Sequence, residues 1–475
     1  MHHVETAIRP ATDLRHWLAL PVLLAGTFMV TLDFFIVNVA IPSMQRELNA
    51  DAATIEWIVA GYGVTYAAGL IIGGRLGDLY GRRRIFALGL AGFTLASAAC
   101  GWAPDALLLI LARAAQGVGA AMLAPQVLAI IGVTYTGADR GRAFAFYGVV
   151  LGLAAACGQV IGGLLIQADL LGLGWRGCFL VNLPIGLVGL ALAPMLVPES
   201  RALAGRRLDV AGAVIITLAI TALLLPLIEG RRQGWPIWTW LSLAVAVALS
   251  GMFVRQQRRH AAPLIDPSLF RAARFRIGLL AALALFGGVA SFFLVLALYL
   301  QQGRGLGALA SGLVFTSMAG AFSVASLAAG RVARWLGRPP LVVGALGMAA
   351  GLAGLRLVIG WIGTAGSPLL LVPALLLEGA GMGLVMAPLA ATVLAGLPAR
   401  DAGAAAGVLV TMQQFANALG VALIGLVFFG VLGRGAVLAP GAGSYAAALD
   451  AALVCLVALS LVLAGLVRTL SRSAA

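Results

Sequence analysis

The sequence predicts an all-α membrane protein of fourteen spans, and three observations carry that prediction. Of 475 residues, 62% are hydrophobic and only 10% charged, with a mean hydropathy of +1.04, far from the mixture a soluble domain needs to cover its surface. Apolar runs of the roughly 20 residues that cross a hydrocarbon core of about 30 Å recur along almost the whole chain. Basic residues gather in the short connections between those runs, where a basic excess marks the cytoplasmic side of a membrane.

The first run, 17–42, follows a charged amino terminus. It is about twice the length of a signal-peptide core and lacks a cleavage site, so it reads as a retained span. Runs at 54–74, 84–103, 106–132, 143–167 and 178–197 complete a set of six. A pair at 209–228 and 237–254 comes next, entered through Arg206-Arg207-Leu208-Asp209 and joined by the turn Gly234-Trp235-Pro236. Six more lie at 277–300, 309–330, 341–361, 368–394, 404–432 and 445–467. Connections this short force consecutive helices antiparallel, and the lack of apolar-polar alternation excludes a membrane β-barrel.

All 31 basic residues are Arg, giving a net charge of +14 and a pI near 11.0. With both termini in the cytoplasm, 23 of them fall in inside connections, six outside and two within spans. One helix more or fewer would move the six Arg between Arg255 and Arg276 to the outside, against the charge rule. The charge is therefore topology, and nucleic acid is not a partner. The absence of Lys removes any phosphate-cradling Walker loop and argues against an ATP-driven pump. Cys100, Cys157, Cys178 and Cys455 have no metal-ligand spacing and read as small buried fillers. His2, His3, His16 and His260 lie outside the spans, so neither a metal site nor a catalytic Ser, His and acid set is expected, nor any cofactor.

A repeat points to two related halves. Gly74, Asp78 and Gly81 after the second run have the spacing of Gly330, Arg334 and Gly337 after the tenth. The chain divides accordingly into a six-helix unit at 1–204, an inserted pair at 205–262 and a second six-helix unit at 263–475.

Several motifs carry a resemblance. The segment Gly74-Arg75-Leu76-Gly77-Asp78-Leu79-Tyr80-Gly81-Arg82-Arg83-Arg84 closely resembles the loop signature of the major facilitator superfamily between spans two and three. The resemblance implies a conformational latch built on Gly74, Asp78, Gly81, Arg82 and Arg83; a basic turn that only fixes topology is the alternative. Leu32-Asp33 with Asn38-Val39-Ala40-Ile41-Pro42 looks like the first-helix signature of the fourteen-helix EmrB/QacA branch of drug:proton antiporters. Arg113-Ala114-Ala115-Gln116-Gly117-Val118-Gly119 with Pro125 resembles the fourth-helix motif, and Trp175-Arg176, Phe179, Asn182 and Pro184-Ile185-Gly186 the sixth-helix motif. Gly158-Gln159-Val160-Ile161-Gly162-Gly163 is similar to the antiporter motif of span five, but Gln159 stands where Pro is usual and Ala154 where Gly is expected.

Physical reasoning about Asp33 is independent of the resemblance. A carboxylate at membrane depth costs about 2.5 to 3.5 kcal/mol on insertion scales, so it faces a cavity or a partner. Nine residues before Pro42, Asp33 lies about 13 Å deep at 1.5 Å per residue, and Arg113, seven past Ala106, about 10 Å. The two are level enough to pair, with Arg113 holding Asp33 ionised in one state and bundle movement exposing it to a proton in another. A helix-to-helix hydrogen bond is the plainer alternative for Asp33.

Glu378, roughly ten residues into span twelve, is the other deep acid, either a proton or cation site or a structural hydrogen bond. Gln413 and Asn417 share a helical face with Gln414 beside it, and together with Phe34, Asn38, Gln116 and Gln159 they are expected to line a cavity. Apolar walls from Phe34, Phe35, Met122, Phe292, Phe293, Met318 and Met386 compete with plain core packing or lipid contact. The resemblance implies proton-coupled export of small apolar or amphipathic compounds across a bacterial inner membrane, by a monomer whose partners are substrate, protons and lipid. It allows a periplasmic adaptor, for which the outside connections are short. A transporter of one endogenous metabolite, such as an antibiotic, siderophore or lipid, or of a nutrient is the alternative. The ExxER first-helix pattern of proton-coupled peptide importers is absent.

Overall fold

A computed structural model describes residues 14–201, 209–231, 233–260, 263–265, 267–337, 339–394, 402–438 and 443–472. The entry Arg206-Arg207-Leu208, the histidines His2 and His3, and the junction at 204/205 lie outside the described residues.

With no water in hydrocarbon to satisfy N–H and C=O groups, an apolar run closes its hydrogen bonds internally and forms a helix. The first half contains α1 (Leu14–Leu48), α2 (Ala52–Tyr80), α3 (Arg82–Gly101), α4 (Ala106–Thr134), α5 (Gly137–Ala168), and the short α6 (Gly177–Leu180) running into α7 (Asn182–Leu196) as one span. The inserted pair is α8 (Val210–Glu229) and α9 (Ile237–Arg259). The second half contains α10 (Ala273–Leu298), α11 (Ala308–Leu336), α12 (Leu341–Ile362), α13 (Val372–Leu394), α14 (Ala402–Leu438) and α15 (Gly443–Arg472). Thirteen described spans are long and apolar enough to cross a membrane, and α2, bent by 47° between Leu70 and Ile72, makes a fourteenth.

Two boundaries differ from the sequence reading. The helix α1 runs through Pro42 to Leu48, because a proline forfeits only one ladder bond and neighbours in a packed membrane protein tolerate it. The segment read as a loop from Gly74 is helical to Tyr80, and the chain reverses at Gly81 alone, whose φ of 109° suits a residue without Cβ.

Aspartates cap the helices where connections are tight: Asp51 accepts from Thr54 N (2.8 Å), Asp105 from Leu108 N (2.8 Å) and Asp209 from Gly212 N (2.8 Å). In the first half α4 packs on α2 and α3, and α1 on α5 and α7. In the second, α13 packs on α11 and α12, and α10 on α14 and α15. The halves meet along α5 with α11 and α2 with α14. By the glycine spacing, α11 stands among the last six spans where α2 stands among the first six, and each of the two lies at one of these seams. Of the inserted pair, α8 touches both α2 and α14, while α9 packs on α8 and exposes Ile237 and Val247 (77% and 74%) where lipid would lie.

Candidate functional site

Asp33 is placed in the middle of α1 by an otherwise apolar helix, so its partners come from other helices. Its Oδ2 accepts from Arg113 Nη1 on α4 in a wholly buried ion pair. Its Oδ1 accepts from Gln116 Nε2 (2.8 Å) and from Asn182 Nδ2 (3.0 Å) on α7. Both amides also reach Ser97 Oγ on α3, each at 2.8 Å. Arg113 donates Nε to the Ile58 carbonyl (3.1 Å) and Nη1 to Gln116 Oε1 (2.7 Å), and its guanidinium lies 4.4 Å from the centre of the Tyr62 ring. Five spans therefore converge on one carboxylate. The carboxylate takes three donors, the number that favours its charged form, while burial disfavours that form. Arg113 Nη2 and Asn182 Oδ1 have no partner among the described residues, so the network has unused capacity.

The sequence reading put Asp33 and Arg113 within reach of each other, and the geometry agrees. It placed Gln116 on a cavity wall, whereas the side chain is fully buried inside the ion-pair network, because a carboxylate with two oxygens in hydrocarbon recruits every nearby donor. Gln159 is likewise fully buried rather than cavity-facing: its Nε2 donates to the Phe35 carbonyl (3.2 Å), and its backbone lies against Gly312 of α11. Asn38 is 3% exposed. Phe34 is partly buried between Phe35 and Tyr62, and Phe35 contacts Phe293 of the second half at 4.7 Å between ring centres. Gln413, Gln414 and Asn417 are half-exposed on α14, with Asn417 Nδ2 donating to Gln414 Oε1 (3.2 Å). Glu378 is 3% exposed on α13 against the backbone at Gly351, and its Oε2 has no partner among the described residues. Among the described residues, no hydrogen bond joins it to the Asp33 cluster.

At the Gly81 end, Asp78 pairs with Arg82 at 2.9 Å. The first turn of α3 is capped by a residue the sequence reading missed: Glu199 Oε1 accepts from Arg83 N (3.0 Å), and Arg82 N donates to the Ser200 carbonyl (2.9 Å). Arg75 Nη2 reaches the Pro263 carbonyl (2.6 Å) beyond the inserted pair. Close approach of α2 to α4 depends on Gly73 and Gly77, where a Cβ would run into the Ala121 carbonyl and the Gln126 amide, rather than on Gly74, whose nearest neighbour would be Pro125 Cβ at 3.7 Å.

At the opposite, Leu48 end the halves are joined. Gln302 Nε2 donates to Gln45, Tyr445 Oη donates to Gln302 Oε1 (2.6 Å), and the backbone of α11 around Leu309 packs against Gly163. The turn after α8 adds Arg231, whose Nη2 donates to Glu56 Oε1 (3.2 Å) while its guanidinium sits 5.5 Å from the Phe429 ring centre on α14; Trp57 Nε1 donates to Glu229. Among the described residues, no side-chain hydrogen bond links α1–α7 to α10–α15 at the Gly81 end.

The Major Facilitator Superfamily profile matches residues 23–421. A probable actinorhodin transporter of Streptomyces coelicolor is 39% identical over 433 residues, covering 90% of this chain and 75% of the relative. The puromycin resistance protein pur8 of Streptomyces alboniger is 37% identical over 437 residues, 90% and 84% of the two chains. A crystal structure of the peptide transporter POT in complex with sulfate superposes with a TM-score of 0.67 over 96% of this chain and 95% of that one; at 16% identity it shares the fold alone. A profile that begins in α1 and ends in α14 spans the buried ion pair, the Gly81 turn and both seams, and so this chain belongs to the Major Facilitator Superfamily, a family of transporters rather than enzymes.

Proposed function

We propose that the protein exports small, apolar or amphipathic organic compounds in exchange for protons, by alternating access between its two halves. The observation that carries this reading is the Asp33–Arg113 pair, an ion pair kept in hydrocarbon by five converging spans. Such a pair is a poor way to gain stability, since well-packed apolar residues do as well or better. Its use is as a two-state element: a proton on Asp33 cancels one charge, frees Arg113 and changes what holds α1, α4 and α7 together. Glu378 is a second acid on which a proton or a cationic substrate group acts, and Gln413, Gln414, Asn417 and Phe34 contribute to the substrate path.

With both termini in the cytoplasm of a bacterial cell, the Leu48 end faces outward, and closure there leaves the path open toward the cytoplasm. Gly74, Asp78, Gly81, Arg82 and Arg83 form the latch that closes the Gly81 end in the other state. The units 1–204 and 263–475 are the moving halves and 205–262 the insertion, in a protein that works as a monomer in the inner membrane. The membrane potential alone gives about 2.3 kcal/mol per charge per 100 mV, enough to drive export of a dilute compound.

Each of these two relatives is named for a single compound, which favours a more specific version of the reading: the cargo is one natural product rather than a spectrum of drugs. A susceptibility panel of cells expressing wild type or Asp33→Asn separates the two. Resistance to several unrelated compounds, lost in the variant, supports the broad reading. Resistance to one chemical class supports the narrow one, and resistance unchanged by the substitution rules out Asp33 as the coupling residue.

A further inference from the structure

The inserted helix α9 ends in a feature that transport by the two halves does not use. Arg255, Arg258 and Arg259 line one groove with Gly251 and Val254. All three arginines are exposed, and none forms an ion pair among the described residues. The groove is open at its floor, since a Cβ on Gly251 would meet nothing within 4 Å. Residues 251, 254, 255, 258 and 259 follow the helical repeat of the stripe formed by Trp240, Leu241, Val247 and Met252, which is 56–74% exposed. The arginines thus continue a lipid-facing surface to the depth where headgroups begin. The opposite face of the same turn is committed to protein: Gln256 and Gln257 donate to Asp209 at 2.6 and 2.7 Å and so tie α9 to the cap of α8.

We propose that this groove binds the phosphate of an anionic phospholipid, whose acyl chains lie along the apolar stripe of α9. The charge and shape match: a guanidinium presents paired donors to phosphate oxygens, and three of them above an apolar ridge suit a headgroup with tails attached. An arginine near an anionic surface is worth about fivefold in affinity, so three give on the order of a hundredfold. Bound lipid would hold the α8–α9 hairpin, whose other end carries Arg231 on Glu56.

The test uses the purified full-length protein in phosphatidylcholine nanodiscs, titrated with phosphatidylglycerol or cardiolipin and read by native mass spectrometry or a lipid fluorophore. Wild type is expected to retain anionic lipid on the order of a hundredfold better than Arg255→Gln/Arg258→Gln/Arg259→Gln, with the preference weakening as salt rises. The variant Arg255→Lys/Arg258→Lys/Arg259→Lys is expected to bind more weakly than wild type but better than the Gln variant, since it keeps the charge and loses the paired donors. Inorganic phosphate and glycerol phosphate at millimolar concentration are expected not to compete; competition would assign the groove to a soluble phosphate and overturn the lipid. Equal loss on removing three exposed arginines elsewhere, Arg271→Gln/Arg276→Gln/Arg331→Gln, would reduce the effect to net charge and overturn the site.

Discussion

Burying a carboxylate and a guanidinium costs several kcal/mol for each ion, and the geometry around Asp33 shows how that cost is offset: three donors on the carboxylate, a carbonyl and an aromatic face on the guanidinium. Removing only one partner is the worst perturbation. Arg113→Met is expected to lose about 3–5 kcal/mol of stability in a thermal or denaturant unfolding assay, while Asp33→Asn/Arg113→Met recovers much of it. If the double variant is no more stable than Arg113→Met, the two residues do not act as a pair. Asp33 and Arg113 were legible in the sequence because charge inside an apolar run is conspicuous. Ser97 and Asn182 were not legible as ligands, because a neutral polar residue in a span costs little and most often satisfies its own helix. Glu199 was invisible for another reason: its bond to Arg83 crosses 116 positions, and no local pattern encodes it.

Among the helices, the number and order of spans were legible from apolar length and the placement of Arg, whereas their ends were not. Pro42 and Gly74 are punctuation in soluble proteins, but in a packed membrane helix neither stops the chain. Small residues set the α2–α4 contact. Gly73→Leu is expected to lower the unfolding temperature through an overpacking cost of about 1–3 kcal/mol, whereas Gly74→Ala leaves it nearly unchanged; the reverse order would contradict the packing described. Asp209, outside the spans, is pushed up by burial, but the Gly212 backbone, Gln257, Gln256 and His260 outweigh that and hold it below its ordinary 3.8. Its contribution to the α8–α9 hairpin is therefore fully present above pH about 4 and is lost as pH falls through the lowered value. Protection of the first-turn amides of α8 from hydrogen exchange, taken relative to the unfolded chain at each pH, should hold from neutral pH to about 5 and fall only in stronger acid; a fall between pH 7 and 5 would contradict this.

Across the whole molecule, the halves are fastened at the Leu48 end by Gln45, Gln302 and Tyr445, and the inserted pair adds a strap through Arg231. Replacing Gln45 and Gln302 by Cys in a background without the native cysteines and joining them through disulfides with a short bis-methanethiosulfonate cross-linker is expected to stop transport, with activity restored by reduction of those disulfides. Transport undiminished by the cross-link would mean that the halves do not separate there. Arg231→Ala is expected to raise labelling of a cysteine placed at Gln159 from the outer face, since the strap no longer opposes opening. The matching glycine spacing after α2 and α11 was visible in the sequence; the direction of closure was not, because the Leu48 end is closed by residues of ordinary composition.

The most direct test of the account is proton movement in sealed liposomes containing the purified protein, with a pH dye inside and an exported compound added on one side. Wild type is predicted to move protons opposite to the compound, at a fixed ratio, and folded Asp33→Asn to bind the compound without moving protons. Proton flux of wild-type size from Asp33→Asn would contradict the claim that this buried carboxylate couples the two.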